Sequence, residues 1–88
     1  IIVCAFEIRF LRFIWNYLKG KNLKAVDILI IEDSRLEAEY FRDLFKSNFE
    51  VRKIQQRITI ASTEKDAYRL LSERTFGIVI FDIDLDRR

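Results

Sequence analysis

Short apolar runs alternate with amphipathic stretches from Val26 to Phe81, and this alternation is the feature that most constrains the fold. Three runs rich in β-branched residues, VDILII, RITIA and FGIVIF, are typical of strands that are buried on both faces. Each of the two stretches between them has the periodicity of a helix. A strand–helix–strand–helix–strand order predicts right-handed crossovers and a parallel sheet with helices on its faces, which is an α/β fold.

The two helical stretches carry recognisable start signals. Ser34 and Glu37 have the spacing of a capping box, and Ser62 or Thr63 is the predicted N-cap of the second helix. Residues 48–56 form a long connection to the second strand, which we expect to be a surface loop or an extension of the first helix. The side chains predicted to face the core are Leu36, Tyr40, Phe41, Leu44, Phe45, Ala67, Leu70 and Leu71.

Residues 1–24 differ in charge from the rest of the chain. They carry five Lys/Arg against Glu7 alone, whereas residues 25–88 carry eleven Lys/Arg against thirteen Asp/Glu. We therefore predict a basic leader over 1–24 and a domain over 25–88. Helical spacing predicts that the leader is an amphipathic helix ending at Gly20.

Four interpretations of the leader stay open: a linker helix, a dimerising helix, an interfacial membrane helix over residues 1–22, and the inner end of a transmembrane segment. Its uninterrupted apolar run, Ile1 to Phe6, is far shorter than the roughly 20 residues that span a bilayer. The chain does not begin with Met, and Arg88 directly follows the last predicted strand. We expect a fragment cut at both ends.

The composition excludes several classes of site. Cys4 is the only cysteine and the chain has no histidine, so an internal disulfide and a zinc site are excluded, and a reducing, cytoplasmic location is expected. Basic residues cluster in the leader rather than on the domain, which argues against nucleic-acid binding.

Acidic residues follow two of the predicted strands. Glu32 and Asp33 end the first strand, and Asp82 ends the third, with Asp84 and Asp86 close behind. Parallel strands end on the same edge of a sheet, so a 2-1-3 strand order would bring these acids together. Carboxylates at such close range repel one another unless a cation lies among them, and Mg²⁺ prefers oxygen ligands of this kind.

Three motifs in order, ILIIEDS, ASTEKDAYRLL and FGIVIFDIDL, resemble the receiver domain of two-component response regulators. The resemblance covers Val26 to Asp86, 61 of the 88 residues. It implies a flavodoxin-like parallel sheet, truncated after the third strand. By position, Asp82 resembles the phosphoacceptor, Asp33 the carboxylate directly on Mg²⁺, Glu32 its neighbour acting through water, and Asp84 the residue whose backbone carbonyl completes the metal site.

The resemblance also implies a function. The chain would be a regulatory phosphoacceptor rather than an enzyme, and a histidine kinase or phosphotransfer protein would deliver the phosphoryl group from a phosphohistidine. Asp86 departs from the family, which often has Pro there, and so does the long connection over 48–56. The Ser/Thr and Lys that the family adds on later strands have no counterpart in these residues.

Two other functions stay open. A receiver-like module that is never phosphorylated would serve protein contacts alone. The segment IVIFDID is also similar to the first motif of haloacid-dehalogenase-type phosphatases, but Leu85 and Asp86 replace the expected Gly-Thr after Asp84. An EF-hand calcium loop is disfavoured because no helix precedes the acids. An unpaired edge on the third strand predicts marginal stability or self-association.

Overall fold

The computed structural model of the chain describes residues 2–4, 16 and 24–81. Over residues 26–81 the predicted alternation of strands and helices is confirmed, and a short strand precedes it. The elements are β1 (Ile2–Cys4), β2 (Ala25–Ile31), α1 (Arg35–Val51), β3 (Gln55–Ala61), α2 (Glu64–Glu73) and β4 (Ile78–Phe81).

The sheet has the strand order β1-β4-β2-β3, and every described pairing in it is parallel. The three predicted strands correspond to β2, β3 and β4. Because β2 lies between β3 and β4, the predicted 2-1-3 order is confirmed. At its carboxyl end, Ile31 is in register with Ala61 on one side and with Phe81 on the other. The chain thus folds as α/β with a parallel sheet, as its periodicity predicts.

The core has two halves because β2 is buried on both faces. Val26, Ile28 and Ile30 point toward α1 and pack with its phenylalanines and with β4. Leu29 and Ile31 point to the opposite face, where they join a smaller cluster. Two-sided burial is the property that continuous apolar runs predict for parallel strands. The smaller cluster is completed by Ala61, Ala67 and Val79.

The face of α1 that packs against the core differs in part from the predicted one. Leu36 is 80% exposed and Tyr40 is 56% exposed, so the expectation that both face the core is wrong. At about 100° per residue these two positions lie across the helix from Phe45, which is fully buried. Phe41 and Phe45 are buried as predicted, and Leu44 is partly buried. The buried residues of α1 are Ala38, Phe41, Phe45 and Phe49.

Thr63, and not Ser62, is the N-cap of α2, since its side-chain oxygen accepts a hydrogen bond from the Asp66 N–H at 3.1 Å. Ala67 is the only fully buried residue of this helix, and Leu70 is partly buried. Leu71 is 43% exposed, so its predicted core position is wrong. A ten-residue helix that approaches the sheet through one small side chain buries only a narrow stripe.

The first part of the predicted connection, residues 48–51, is an extension of α1, which confirms the second of its two predicted forms. The helix continues to Val51 and ends in a Schellman motif, in which Lys53 has the positive φ of 57°. The Lys53 N–H donates to the Glu50 carbonyl and the Ile54 N–H to the Phe49 carbonyl, both at 3.0 Å. As a result β3 begins at Gln55, two residues before the predicted strand.

The leader begins with a strand rather than a helix. Ile2–Cys4 pairs with β4, with Val3 in register with Ile80, consistent with the β-branched side chains of this apolar run. Asn16 is helical and exposed. The other residues of the predicted amphipathic helix lie outside the described part. The outer edge of β4, which was predicted to be unpaired, is therefore paired with β1.

Candidate functional site

The carboxyl ends of β2 and β4 lie side by side, at the edge where the sequence predicts a cluster of acids. Ile31 and Phe81 are register partners, and the next residues in the chain are Glu32 and Asp82. Behind this edge both strands are buried, since Ile30 and Ile80 have no exposed surface. Crevices outside the carboxyl ends of parallel strands are where α/β sheets bind ligands.

Glu32 is the one buried charged residue among those described, with 1% of its surface exposed. Its Oε1 accepts a hydrogen bond from the Ser34 N–H at 2.9 Å, and its own N–H donates to the Ala61 carbonyl at 3.0 Å. These bonds fix the carboxylate between the ends of β2 and β3. Burial of an ionised carboxylate costs free energy, which hydrogen bonds or a nearby cation offset.

The predicted capping box at the start of α1 forms only in part. The Ser34 hydroxyl accepts from the Glu37 N–H at 3.4 Å, as predicted. In a full capping box the Glu37 side chain would bind the Ser34 N–H. Here Glu32 binds that N–H instead. The same carboxylate that stands at the strand end therefore also anchors the beginning of α1.

Asp33 differs from Glu32 in its exposure. It follows Glu32 directly, is exposed to solvent, and precedes the N-cap Ser34. An exposed carboxylate beside a buried one offers oxygen ligands that a cation can reach from solvent. The structure therefore brings Glu32 and Asp33 together at the predicted edge.

A cavity of about 320 Å³ opens beside these two acids, between the start of α1 and the end of β3. Its walls include Arg35, Arg42 and Ser62. The Arg35 side chain pairs with Glu39 at 3.3 Å, whereas the Arg42 guanidinium makes no hydrogen bond or ion pair with any described residue. The cavity thus places carboxylates, which suit a divalent cation, next to guanidinium groups, which suit phosphate oxygens.

Sequence reasoning missed these three cavity residues. The sequence suggests Ser62 only as a helix cap, but Thr63 has that role and Ser62 lines the cavity. Arg35 and Arg42 are seven residues apart, which is two turns of α1, on a helix that begins at the acidic edge. That spacing is the one sequence signal that would have marked them.

Three of the predicted acids, Asp82, Asp84 and Asp86, lie outside the described residues. Within the residues that the structure does describe, no group of three His, Cys, Asp or Glu side chains is arranged to hold a metal ion. The predicted ligand set of Glu32, Asp33, Asp82 and the Asp84 carbonyl accordingly stays a prediction.

Comparison of the chain with known protein families, with curated proteins and with solved structures found no match. None of the helices in the described part of the chain has the length and apolar character that crossing a membrane requires.

Proposed function

We propose that the chain is the phosphoacceptor receiver module of a two-component phosphorelay, and that Asp82 carries the phosphoryl group. The observation that supports this most directly is the register of β2 with β4, in which Ile31 is the partner of Phe81. The residue that follows each of them is an acid, so nucleophile and metal ligands would share one edge. The parallel sheet with a central β2 is compatible with a partial flavodoxin-like fold.

The residues at this edge suit a hard divalent cation. Carboxylate oxygens are the ligands that Mg²⁺ prefers, and Glu32 and Asp33 supply them at the end of β2. Asp82 and the Asp84 backbone carbonyl would complete the set. Bound there, Mg²⁺ would neutralise the oxygens of the phosphoryl group during transfer.

The chemistry that follows is nucleophilic substitution at phosphorus. A carboxylate oxygen of Asp82 attacks the phosphoryl group of a phosphohistidine, the P–N bond breaks, and the imidazole leaves as the P–O bond forms. The product is an acyl phosphate, which adds about one negative charge and strong hydrogen-bond acceptors. The chain supplies the acceptor, whereas a cytoplasmic histidine kinase or phosphotransfer protein supplies the donor group.

Phosphorylation in the longest natural form of the protein tests this proposal. Incubation with acetyl phosphate and Mg²⁺ should add one phosphoryl mass that hydroxylamine removes. Asp82→Asn should abolish the label, and Asp33→Asn should strongly weaken its dependence on Mg²⁺. Asp86→Asn should leave the label intact or increase it, because it removes a negative charge near an incoming phosphate.

Asp43→Asn serves as the matched control, because Asp43 is an exposed acid of α1 that does not line the cavity. Its label should equal that of the unchanged protein. A protein that takes no label, or a label that survives Asp82→Asn, would overturn the proposal in favour of a contact module. Rapid turnover of phosphate esters that Asp84→Asn blocks would instead indicate a phosphatase.

A further inference from the structure

The described sheet has two outer edges, formed by β3 on one side and by the three-residue β1 on the other. The order β1-β4-β2-β3 places β3 at the end, and its described pairing is with β2. With seven residues, from Gln55 to Ala61, the strand is long for an edge. Natural proteins commonly shorten, charge or cover such edges, because an unpaired edge is a template for another strand.

Backbone hydrogen bonds identify which groups of β3 face outward. The Gln55 N–H donates to the Lys24 carbonyl at 2.9 Å, and the Ala61 carbonyl accepts from the Glu32 N–H at 3.0 Å, so both residues face β2. Residues of a strand paired on one side alternate between facing that partner and facing away. The N–H and C=O groups of Gln56, Ile58 and Ile60 therefore face outward.

The polar side chains of β3 that could hinder pairing with another strand are hydrogen-bonded to other residues of the chain. Arg57 is the one charged residue of β3, and its guanidinium makes two hydrogen bonds to Asp27 on the neighbouring strand, at 2.7 and 2.9 Å. That contact raises the pKa of Arg57 above its ordinary value, first through the hydrogen bond and then through the charge of Asp27. Thr59 accepts a hydrogen bond from Arg74.

The described residues leave open space beside the first half of this strand. A groove of about 480 Å³ runs along the first half of β3, between Lys53 and Arg57. Ile58 and Ile60 are only partly buried, although both pack against the core beneath α1. An extended strand paired with β3 would cover the exposed part of these two side chains.

We propose that a second copy of this chain occupies the edge, antiparallel to β3 and related to it by a two-fold axis through Ile58. In this register Ile58 lies opposite its own copy, and Gln56 lies opposite Ile60 of the second copy. Each of the three outward N–H groups then finds an outward carbonyl in the other chain. A two-fold axis through Gln56 or Ile60 would leave outward groups of β3 without a strand partner.

The side chains are compatible with this register on both faces. On the α1 face, Ile58 packs against its copy, which adds to the burial of a side chain that is already partly buried. On the other face, Arg57 lies opposite Thr59, so no like charges are directly opposed. The two copies of Arg57 are diagonal neighbours, and the Asp27 carboxylate bound to each of them reduces their repulsion.

The expected association is weak. Pairing one strand with its copy buries less than the roughly 1,200 Å² of a stable interface, so we expect a dissociation constant weaker than about 10 µM. Sedimentation velocity of the chain between about 10 µM and about 1 mM should show a monomer–dimer equilibrium. A monomer throughout this range would overturn the proposal.

Hydrogen exchange of the unchanged chain gives a residue-specific test. The Gln56, Ile58 and Ile60 amides should become protected as the concentration rises, because their N–H groups are bonded only in the dimer. The Arg57 and Thr59 amides, which face β2, should show protection that does not depend on concentration. Uniform protection along β3 at all concentrations would refute the proposed register.

Two substitutions at one position separate backbone from side-chain effects. Gln56→Pro removes an outward N–H but no hydrogen bond to β2, so it should abolish the dimer while circular dichroism shows the fold retained. Gln56→Ala removes the side chain and keeps the N–H, so the dimer should persist. A dimer that survives Gln56→Pro would contradict the proposal. So would a different protein whose strand pairs with β3 in a chain that forms no dimer.

Discussion

Lys53 is the residue whose replacement best tests how α1 ends. Its φ of 57° lies in the left-handed region, where a side chain other than glycine costs about 1–2 kcal/mol. The Schellman motif requires that conformation at this position, and the buried Phe49 is held in it through the Ile54 N–H. Lys53 therefore stays strained as long as the motif is intact.

Lys53→Gly should remove this strain. Glycine also loses more backbone entropy on folding than lysine, and this loss offsets about 0.5–1 kcal/mol of the relieved strain. The net increase in the free energy of unfolding should therefore be about 0.5–1 kcal/mol. With a urea m-value of about 2 kcal/mol/M, the unfolding midpoint should rise by about 0.4 M. The measurement belongs at low protein concentration, where self-association does not add to stability.

Two matched variants isolate the cause. Lys53→Ala keeps the Cβ atom and loses only the amine, so its stability should stay within about 0.5 kcal/mol of the unchanged chain. Arg52→Gly changes a neighbouring cation whose φ of −91° is not left-handed, and it should destabilise by about 0.5–1 kcal/mol. If Lys53→Gly were no more stable than Lys53→Ala, the assignment of strain to this residue would be refuted.

Two further substitutions test the core and the second cap. Phe45 is fully buried and stacked on Phe49, so Phe45→Ala should lower the free energy of unfolding by about 3–5 kcal/mol and unfold much of the chain. Tyr40 is exposed, so Tyr40→Ala should lower it by less than about 0.5 kcal/mol. Equal losses of stability in thermal melts would refute the assignment of the buried face of α1. Thr63→Ala should cost about 1 kcal/mol in urea titrations, and Ser62→Ala should be near neutral; the reverse order would show that Ser62 is the cap.

The local sequence pattern was sufficient to predict three strands of the sheet, but not which face of each helix is buried. The apolar runs at Val26 and Ile78 predicted buried strands, and chain connectivity limited the order to few possibilities. In α1, however, apolar residues extend over more than half of the helix circumference. Periodicity alone could not decide that Phe49 is buried and Tyr40 is exposed, because the choice depends on where the sheet lies.

Contacts between residues distant in the chain were the other source of error. The pairing of Ile2–Cys4 with β4 joins segments more than seventy residues apart, and the β-branched residues that favour a strand there do not identify its partner. The bond from Ser34 to Glu32 was missed for a related reason. The S-x-x-E pattern predicts Glu37 as the partner, but the strand end places another carboxylate nearer.

The two proposals concern different parts of the sheet, so each can fail without the other. Ile58, at the proposed two-fold axis, is in register with Ile28, three residues before Ile31 at the acidic edge, a separation of about 10 Å along the strand. Effects at sites this far apart, with no shared partner, usually add. Gln56→Pro should therefore leave acetyl phosphate labelling unchanged, and Asp82→Asn should leave sedimentation unchanged. If Asp82→Asn altered the dimer, β2 would transmit a change from the acidic edge to β3, and the two proposals would have to be revised together.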